Sequence, residues 1–207
     1  GSGLVGSEMC IRDSTERELY WSLAFGTSDS KNKIKKITDK LGAMNDENNK
    51  NETKKPVPLY EEGESLDALK AVPSLGIDPE TGKEVFVKKD GSLTTIWDYN
   101  DKVVCGTTDP KFRGTLNSFL TFKGISLNMS FNFQWGGQTY NQTLASRVEG
   151  VNPNSNCDRR VLYDRWKKPG DRTFFKNIAL EENVSNLTTR FVQDYNYFQI
   201  GSISLGY

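Results

Sequence analysis

The chain has 207 residues, with 27 basic and 27 acidic side chains and no histidine, so its formal net charge at pH 7 is zero. Without net charge, no overall electrostatic field draws it to nucleic acid or acidic lipid. The lack of histidine removes the commonest proton shuttle and metal ligand. The three cysteines, Cys10, Cys105 and Cys157, are too few and too irregularly spaced for a zinc site or a disulfide scaffold. We therefore expect no metal and no cofactor.

The sequence also lacks the features of a transmembrane helix and of a secretory signal peptide. It contains no apolar run of about 20 residues, which a transmembrane helix requires. It also shows no secretory signal peptide. A membrane location therefore requires strands, and export requires an N-terminal segment that is missing here.

The first 14 residues, GSGLVGSEMCIRDS, show neither helical nor strand periodicity. The string resembles translated sequencing-adapter read-through. We therefore predict that residues 1–14 are a non-native, disordered leader and exclude them from fold reasoning. The alternative is a disordered leader that belongs to the protein, and it leaves the rest of the interpretation unchanged.

The first periodic segment begins at Leu19. Its alternating residues are Leu19, Trp21, Leu23 and Phe25 against Tyr20, Ser22, Ala24 and Gly26. Successive side chains of a strand point to opposite faces, so this period of two predicts a strand. This strand continues into a lysine-rich segment. Such a rise in charge is expected where a strand leaves a membrane and enters water. An edge strand of a soluble sheet, guarded by lysines, is the alternative.

Residues 39–109 form a long polar excursion. Its first part, rich in Asn and Lys, is predicted to be poorly ordered. Further on, a short alternating segment from Glu84 to Lys88 lies between turn signals and predicts a small hairpin. The turn signals are Asp78-Pro79, Thr81-Gly82 and Asp90-Gly91. A loop of this length in a compact domain is usually functional or disordered.

The most regular pattern is ISLNMSFNFQW, from Ile125 to Trp135, in which apolar and small polar residues alternate without interruption. At about 3.3 Å per residue and a tilt near 45°, such a strand rises about 26 Å, close to the ~25 Å apolar band of a membrane barrel. The polar row is uncharged Ser, Asn and Gln, which suits a wet barrel lumen. A β-sandwich strand uses the same alternation and stays open as an alternative.

A second long strand, from Lys111 to Phe122, precedes this pattern, and Lys123-Gly124 between them predicts a tight hairpin turn. Short turns at one end and long loops at the other are typical of outer-membrane barrels, whose short turns face the periplasm. Both long loops, near residues 39–109 and 136–196, are therefore expected to face outward.

The last segment, from Tyr195 to Tyr207, is strand-like but changes phase. Phe198 and Ile200 share one parity, whereas Ile203 and Leu205 share the other, so we expect a bulge near Gly201. The sequence ends in mid-pattern, at a strand without a partner, and an open edge is costly in lipid. The chain is therefore expected to be a fragment.

Four stretches together resemble the C-terminal barrel of the SusC/RagA family of TonB-dependent outer-membrane transporters of Bacteroidota. They are EEGESLDALKAVPSLGIDPETGKEVFVKKDGSLTTIWDYND, GTTDPKFRGTLNSFLTFKGISLNMSFNFQWGGQTYNQTL, DRRVLYDRWKKPGDRTFFKN and TRFVQDYNYFQIGSISLGY, in that order. The resemblance runs from about Thr15 to Tyr207. It implies an all-β chain, a partial antiparallel transmembrane β-barrel of about four long strands in residues 15–207, cut from a barrel of about 22 strands.

The resemblance also implies function and partners. Such barrels import glycans or peptides with a SusD-like surface lipoprotein as a lid, and the TonB complex of the inner membrane supplies energy. The signal sequence, carboxypeptidase-like domain, TonB box and plug are absent from this sequence, so this piece alone is not expected to transport. The localisation expected is the cell outer membrane, with outer-membrane lipid around the barrel. A soluble, secreted carbohydrate-binding β-sandwich is the alternative.

One candidate ligand site lies in the first loop, at Trp97, Asp98, Tyr99 and Asp101. The two aromatic rings could stack on a sugar while a carboxylate accepts hydrogen bonds from its hydroxyl groups. The alternative, which we favour, is a turn whose aromatic residues pack the loop. The spacing does not match a calcium-binding loop, so no metal is predicted.

A second candidate is a charged, aromatic cluster in the second loop. Its members are Arg159, Arg160, Asp164, Arg165, Trp166 and Asp171. Because arginine pairs with carboxylates in a bidentate manner, the cluster could lock the loop or dock the lid partner. We favour the lock, which needs no second protein.

An enzyme is the remaining functional class. Carboxylates are plentiful, but the sequence has no nucleophile motif, no histidine and no carboxylate pair fixed on one rigid element. A glycosidase could still use two carboxylates far apart in sequence. The prediction is that the chain is not an enzyme.

Overall fold

The structure, a computed structural model, describes residues 5–14, 19–50, 56–152, 154, 156–179 and 185–207. The chain divides into two compact units. The sheet unit comprises Gly1–Asn32, Thr108–Gln138 and Asp194–Tyr207, and the loop unit comprises Lys33–Thr107 and Thr139–Gln193. No helix among the described residues combines the length and apolar character needed to cross a membrane.

The described residues contain ten strands and one α-helix. In chain order these are β1 (Val5–Ser14), β2 (Leu19–Asp29), α1 (Asp39–Lys50), β3 (Ala68–Ala71), β4 (Ser74–Ile77), β5 (Glu84–Val87), β6 (Leu93–Thr94), β7 (Val103–Thr107), β8 (Phe112–Phe122), β9 (Ile125–Tyr140) and β10 (Val192–Gly206). Five of them form the sheet of the sheet unit, in the order β1-β2-β8-β9-β10. The four long strands that the sequence predicted are all present as β2, β8, β9 and β10.

The predicted disorder of the leader is wrong for part of it. Val5–Ser14 forms β1 and pairs antiparallel with β2, from Val5 opposite Asp29 to Ser14 opposite Tyr20. The open edge of β2 offers a row of backbone N–H and C=O groups, and these pair with an extended chain whatever its side chains are. Periodicity, which reports burial of one face, therefore could not reveal this strand. Residues 1–4 lie outside the described residues, and the non-native origin of the leader stays a prediction.

The register of the sheet places the apolar rows of three strands on one face. Trp21 of β2 lies opposite Leu120 of β8, which lies opposite Leu127 of β9. Residues directly opposite each other in a ladder share a face. The same register gathers the polar rows on the other face: Ser22, Ser28, Thr115, Asn117, Thr121, Ser126, Asn128, Ser130, Asn132 and Gln134. Phe119 and Arg113 also lie on this face, and Ser118 lies in the apolar row. Apart from these residues the sheet is two-sided, as the alternation predicted.

Several large side chains on the apolar face of the sheet are exposed. Trp21, Phe25, Phe122 and Trp135 are 39–58% exposed on it. Every fully buried apolar side chain among the described residues belongs to the loop unit. A β-sandwich would bury this face against a second sheet, so the described fold favours the barrel segment over the sandwich.

A glycine opens a space on the apolar face for an aromatic ring. Gly114 of β8 lies opposite Phe133 of β9, whose ring stacks on Phe25 at 5.5 Å between centroids. A Cβ atom on Gly114 would lie 2.2 Å from the Gly26 carbonyl oxygen and 2.6 Å from Phe133 Cζ. The ring therefore covers the glycine, an arrangement that pins the register of a sheet.

The predicted hairpin between β8 and β9 is confirmed. Lys123 and Gly124 have φ values of 48° and 83°, and positive φ at both central residues is the signature of a type I′ hairpin turn. The strand ends nearest the two excursions, at Asp29, Phe112, Tyr140 and Val192, lie at the other end of the sheet. Tight turn and long loops therefore leave from opposite ends, as predicted.

The second loop is shorter than residues 136–196, because β9 continues to Tyr140 and β10 already begins at Val192. The pair Gly136-Gly137 reads as a strand end in the sequence. In the structure Gly136 takes a φ of 83° and donates its N–H to Asn196 Oδ1 at 2.7 Å. A side chain of β10 thus accepts the hydrogen bond from Gly136 N–H, and β9 continues beyond this residue to Tyr140.

Two glycines support the predicted change of phase in β10, which stays a prediction. A Cβ atom on Gly201 would lie 3.0 Å from Asn132 Nδ2, and one on Gly206 would lie 2.7 Å from Ser126 Oγ. Both positions therefore face the polar side, although they are five positions apart. In a regular strand only an even separation keeps one face, so the alternation is interrupted between these glycines.

The loop unit contains two small antiparallel sheets, β3-β7 and β4-β5-β6. The predicted hairpin is therefore confirmed and extended to three strands. The expectation of poor order from Asp39 to Pro58 is wrong for Asp39–Lys50, which forms α1, and residues 51–55 of this segment lie outside the described residues. Asn45 anchors that helix by donating to the Tyr60 carbonyl at 2.6 Å and accepting from Tyr60 N–H at 3.0 Å. Amide side chains can hydrogen-bond backbone in this way, which composition alone does not show.

The core of the loop unit combines residues that are distant in sequence. Phe191 and Val148 are completely buried there, beside Phe175. The rest of the core cluster consists of Ala145, Val151 and Val161, with Tyr140, Leu144, Phe174 and Ile178 packed against it. From the first excursion, Val72 is also completely buried, and its N–H donates to the Leu187 carbonyl at 3.2 Å.

Candidate functional site

The first candidate site, around Trp97, is engaged in contacts within the loop unit. The half-buried Trp97 indole donates its N–H to the Leu187 carbonyl at 3.2 Å. Asp98 caps the following 3-10 turn, accepting from Asn100 N–H at 2.8 Å and from the Asn100 side chain at 2.9 Å. These bonds favour the packing interpretation over a sugar-binding platform.

The remaining members of this site, Tyr99 and Asp101, belong to the same 3-10 turn. Asp101 Oδ1 accepts a hydrogen bond from Lys89 N–H at 3.1 Å, so its carboxylate joins two stretches of the first excursion. Tyr99 is half-buried. Both carboxylates thus already hold backbone donors, and sequence adjacency, not a shared cleft, is what brings these four residues together.

The second candidate site divides into a buried and an exposed part. Arg165 is only 6% exposed and donates to the backbone carbonyls of Val161 and Lys176, each at 3.0 Å, and to that of Val148. Its guanidinium also lies over the Phe175 ring. Arg165 therefore joins three segments through carbonyl groups, whereas the sequence suggested a carboxylate partner. The difference is physical, because a guanidinium has five donors and accepts any well-placed oxygen.

Trp166 reaches from the second loop to the first. Its indole N–H donates to the Pro79 carbonyl at 2.8 Å, and its ring covers Gly82, where a Cβ atom would lie 2.6 Å from it. Gly82 has a φ of 70°, which favours glycine. These contacts join the second loop to the first.

The exposed part of the cluster makes local pairs. Arg160 binds Asp158 through two side-chain hydrogen bonds of 3.1 and 2.7 Å, and these lower the pKa of Asp158 to about 2. Arg159 donates to the Tyr163 hydroxyl at 3.1 Å.

Two aspartates of the same cluster act through the backbone. Asp171 accepts from the backbone N–H groups of Lys167 and Lys168, and closes a turn. Asp164 has a φ of 50°, and its carbonyl accepts from Phe175 N–H at 2.9 Å. All of these contacts are structural within the loop.

The structure also reveals a buried ionic triad that sequence reasoning missed. Arg190 binds both carboxylate oxygens of Glu84 at 2.7 Å each, and its Nη2 donates to Glu149 Oε1 at 2.8 Å. The three side chains are 5%, 5% and 0% exposed for Arg190, Glu84 and Glu149. Glu84 and Arg190 lie 106 positions apart, so no local motif could have announced the pair.

The surroundings of the triad explain how charges persist there. Phe191 and Phe174 lie against the Arg190 guanidinium at 4.8 and 5.4 Å, and the Phe174 carbonyl accepts from its Nη1. Burial alone would lower the pKa of Arg190, but the hydrogen bonds and charge of Glu84 outweigh it and raise that pKa. For Glu149, burial raises the pKa, and the attraction of Arg190 offsets only part of this effect. Glu84 and Arg190 thus form the tighter ion pair.

No group of three or more His, Cys, Asp or Glu residues suited to a metal ion occurs in the part of the chain that the structure describes.

This chain is similar in sequence to a curated TonB-dependent receptor. A TonB-dependent receptor P3 of Formosa agariphila is 25% identical over 213 residues, which cover 95% of this chain and 20% of the relative. No family model matches the chain. The chain thus spans about a fifth of the length of the curated relative it matches.

Solved structures with the same fold come from the RagAB system. A RagAB peptide transporter superposes with a TM-score of 0.74 at 13% identity, covering 98% of this chain and 22% of that one. The RagAB peptide importer in its open-open state gives 0.72 at 15% identity, covering 97% and 21%. In its closed-closed state it gives 0.69 at 15% identity, covering 96% and 22%.

These findings confirm the resemblance to SusC/RagA-type TonB-dependent transporters, and with it the all-β fold of a partial barrel and the outer-membrane localisation. The proteins found are a receptor and importers rather than enzymes.

Proposed function

We propose that the chain forms part of the barrel wall and outer vestibule of a TonB-dependent outer-membrane importer of glycans or peptides. In this proposal β2, β8, β9 and β10 contribute the wall, and the two long excursions contribute the vestibule. The observation that carries it is the two-sided sheet. Large apolar side chains are exposed on one face, and the other face carries mainly uncharged amide and hydroxyl side chains, together with Arg113 and Phe119. A soluble carbohydrate-binding sandwich would leave no such face uncovered.

The partners proposed are a SusD-like surface lipoprotein, the TonB complex acting through other parts of the protein, and the lipid of the outer membrane. The similarity to RagAB, whose structures are described as a peptide importer, supports this kind of partner. It leaves the choice between glycan and peptide open. No nucleic acid is proposed, because the chain has no net charge.

The proposal is tested on the full-length protein in cells. Outer-membrane fractionation should recover the protein with the membrane, and labelled oligosaccharides or peptides should enter cells only when TonB and this protein are both present. Uptake that survives deletion of the gene, or a protein recovered in the soluble fraction, contradicts it.

We further infer that the protein carries out no catalysis. The test is incubation of the purified protein with a panel of glycans, followed by product analysis. Any turnover that depends on the protein overturns the inference.

For the two candidate sites, we propose packing and locking roles rather than contact with a ligand or a partner. Trp97→Ala in the full-length transporter should leave ligand affinity unchanged, because its indole is bonded to Leu187. Arg165→Ala should loosen the loop itself. If a folded Arg165→Ala variant loses only co-purification of the lipoprotein, docking is the better interpretation.

A further inference from the structure

The two long loops, residues 30–111 and 141–191, meet at several points within the loop unit. Backbone bonds join Val72 to Leu187 and Thr189, at 3.2 and 3.0 Å. Side chains join Trp166 to Pro79. The Trp97 bond to Leu187 and the Arg190 pair with Glu84 add two more junctions. The junction is therefore distributed along both loops.

The Arg190 side chain makes an ionic contact at this junction. It holds Glu84, at the start of β5 in the first loop, and Glu149, at the end of the π-helical turn Leu144–Glu149 in the second. One guanidinium thus connects an element of the first loop to a distant turn of the second.

A buried ionic junction of this kind adds little stability over an apolar one, but it accepts only one geometry. Bidentate pairing fixes both distance and angle. Separation of the loops would also expose Val72 and Leu187, which are at most 1% exposed and are joined by a backbone hydrogen bond. Neither loop can therefore leave alone without opening the shared core.

We propose that the two loops are one conformational unit with Arg190 as the coupling residue, so that an event at one loop is transmitted to the other. The proposal rests on the proposed function as a vestibule, and concerns its regulation. A partner or ligand that contacts either loop changes the position of both.

The test is hydrogen–deuterium exchange of the full-length protein in detergent, comparing the parent with Glu84→Gln. Glu84→Gln keeps the size of the side chain and removes its charge. We expect amide exchange to rise about tenfold in the second loop, including Leu144–Glu149, as well as around β5. A rise confined to the first loop overturns the proposal.

Arg160→Gln provides the matched control, since it removes an arginine whose pair with Asp158 is exposed and local. Its effect should stay within the 3-10 turn Arg159–Leu162. An equally wide effect of this control also overturns the proposal, because coupling would then not depend on Arg190.

If Glu84→Gln fails to fold, amide exchange of the parent protein alone tests the coupling of the two loops. Under conditions in which exchange follows each opening event, peptides of both loops should exchange with one common rate. Two distinct rates overturn the coupling. The exchange measurement does not depend on uptake. A protein whose two loops are coupled but that imports nothing therefore contradicts the proposed function and not the coupling.

Discussion

The indole N–H of Trp21 donates to Ser118 Oγ at 3.0 Å, on the apolar face of the sheet. Ser118 lies opposite Leu23 and Met129, and is the one polar residue of β8 in the apolar row. The indole N–H and the Ser118 hydroxyl are thus hydrogen-bonded to each other. Such a bond matters most in lipid, where no water can replace either partner.

Ser118→Ala should destabilise the full-length protein in lipid by about 1–3 kcal/mol, the cost of an unsatisfied buried donor. Trp21→Phe should abolish most of that effect, because it removes the donor. A double-mutant cycle in lipid vesicles, read by urea unfolding, measures this coupling. Additive effects of the two substitutions would argue that water reaches the indole, and hence against a lipid-facing surface.

Phe131→Arg should cost about 2–4 kcal/mol if Phe131 lies near the bilayer midplane. Its ring stacks on Phe198 at 5.3 Å between centroids, on the apolar face. The matched control is Asn128→Lys on the same strand, exposed on the polar face and therefore tolerated in a wet lumen. Folding yields in vesicles compare the two. Equal damage from both substitutions speaks for a sheet without a lipid side.

Gly114→Ala should destabilise the sheet, because the new methyl group meets the Gly26 carbonyl oxygen and the Phe133 ring. The Gly26 backbone cannot move aside as a flexible side chain can, and overpacking of this kind costs about 1–3 kcal/mol or more. Gly124→Ala is less informative, since its φ of 83° strains any substitute. Gly26→Ala, with its nearest contact at 3.6 Å, is the suitable control. Thermal unfolding in detergent should separate the two variants.

Arg190→Gln should destabilise the loop unit by about 3–5 kcal/mol, because it leaves the carboxylates of Glu84 and Glu149 buried without the guanidinium that binds both. Arg160→Gln, which breaks an exposed pair, should leave the unfolding midpoint unchanged. The measurement is amide exchange of loop peptides in the full-length protein. Similar effects of the two variants would mean that the triad adds no more than a surface pair.

The raised pKa of Glu149 predicts an unusual pH dependence. The folded state holds its proton more tightly than the unfolded state, so between the ordinary and the raised pKa it binds more protons. The contribution of Glu149 to stability therefore increases as the pH falls through this window, and Glu149→Gln should remove that increase. Asp158, with a pKa lowered to about 2, acts oppositely and only below its ordinary value of 3.8. Exchange measured from pH 7 to pH 5 should show the first effect alone.

The sequence predicted the long strands because alternation of period two directly reports which face is apolar. Ile125 to Trp135, the tight turn at Lys123-Gly124 and the phase change near Gly201 could all be read in this way. Alternation did not show where each strand ends. At Gly136 a side chain of β10 supplies the hydrogen bond that keeps β9 going.

The candidate residues show a similar division. Trp97, Arg165 and Trp166 were recognisable as unusual loop residues, but their partners are backbone carbonyls. For Trp97 and Trp166 these lie 90 and 87 positions away in the sequence. The helix α1 was missed because a polar, Asn-rich composition predicts disorder unless a partner such as Tyr60 is known.

By itself, the sequence determined the two-sided strands, their hairpin and the resemblance to an outer-membrane importer, since local alternation and turn chemistry need no distant partner. Only the tertiary structure decided that β1 pairs with β2, that Trp21 meets Ser118 and that Arg190 joins Glu84 to Glu149. Those relationships depend on which segments of the chain fold beside one another. Backbone pairing and buried charge accept many sequences, and so leave no periodic trace in the sequence.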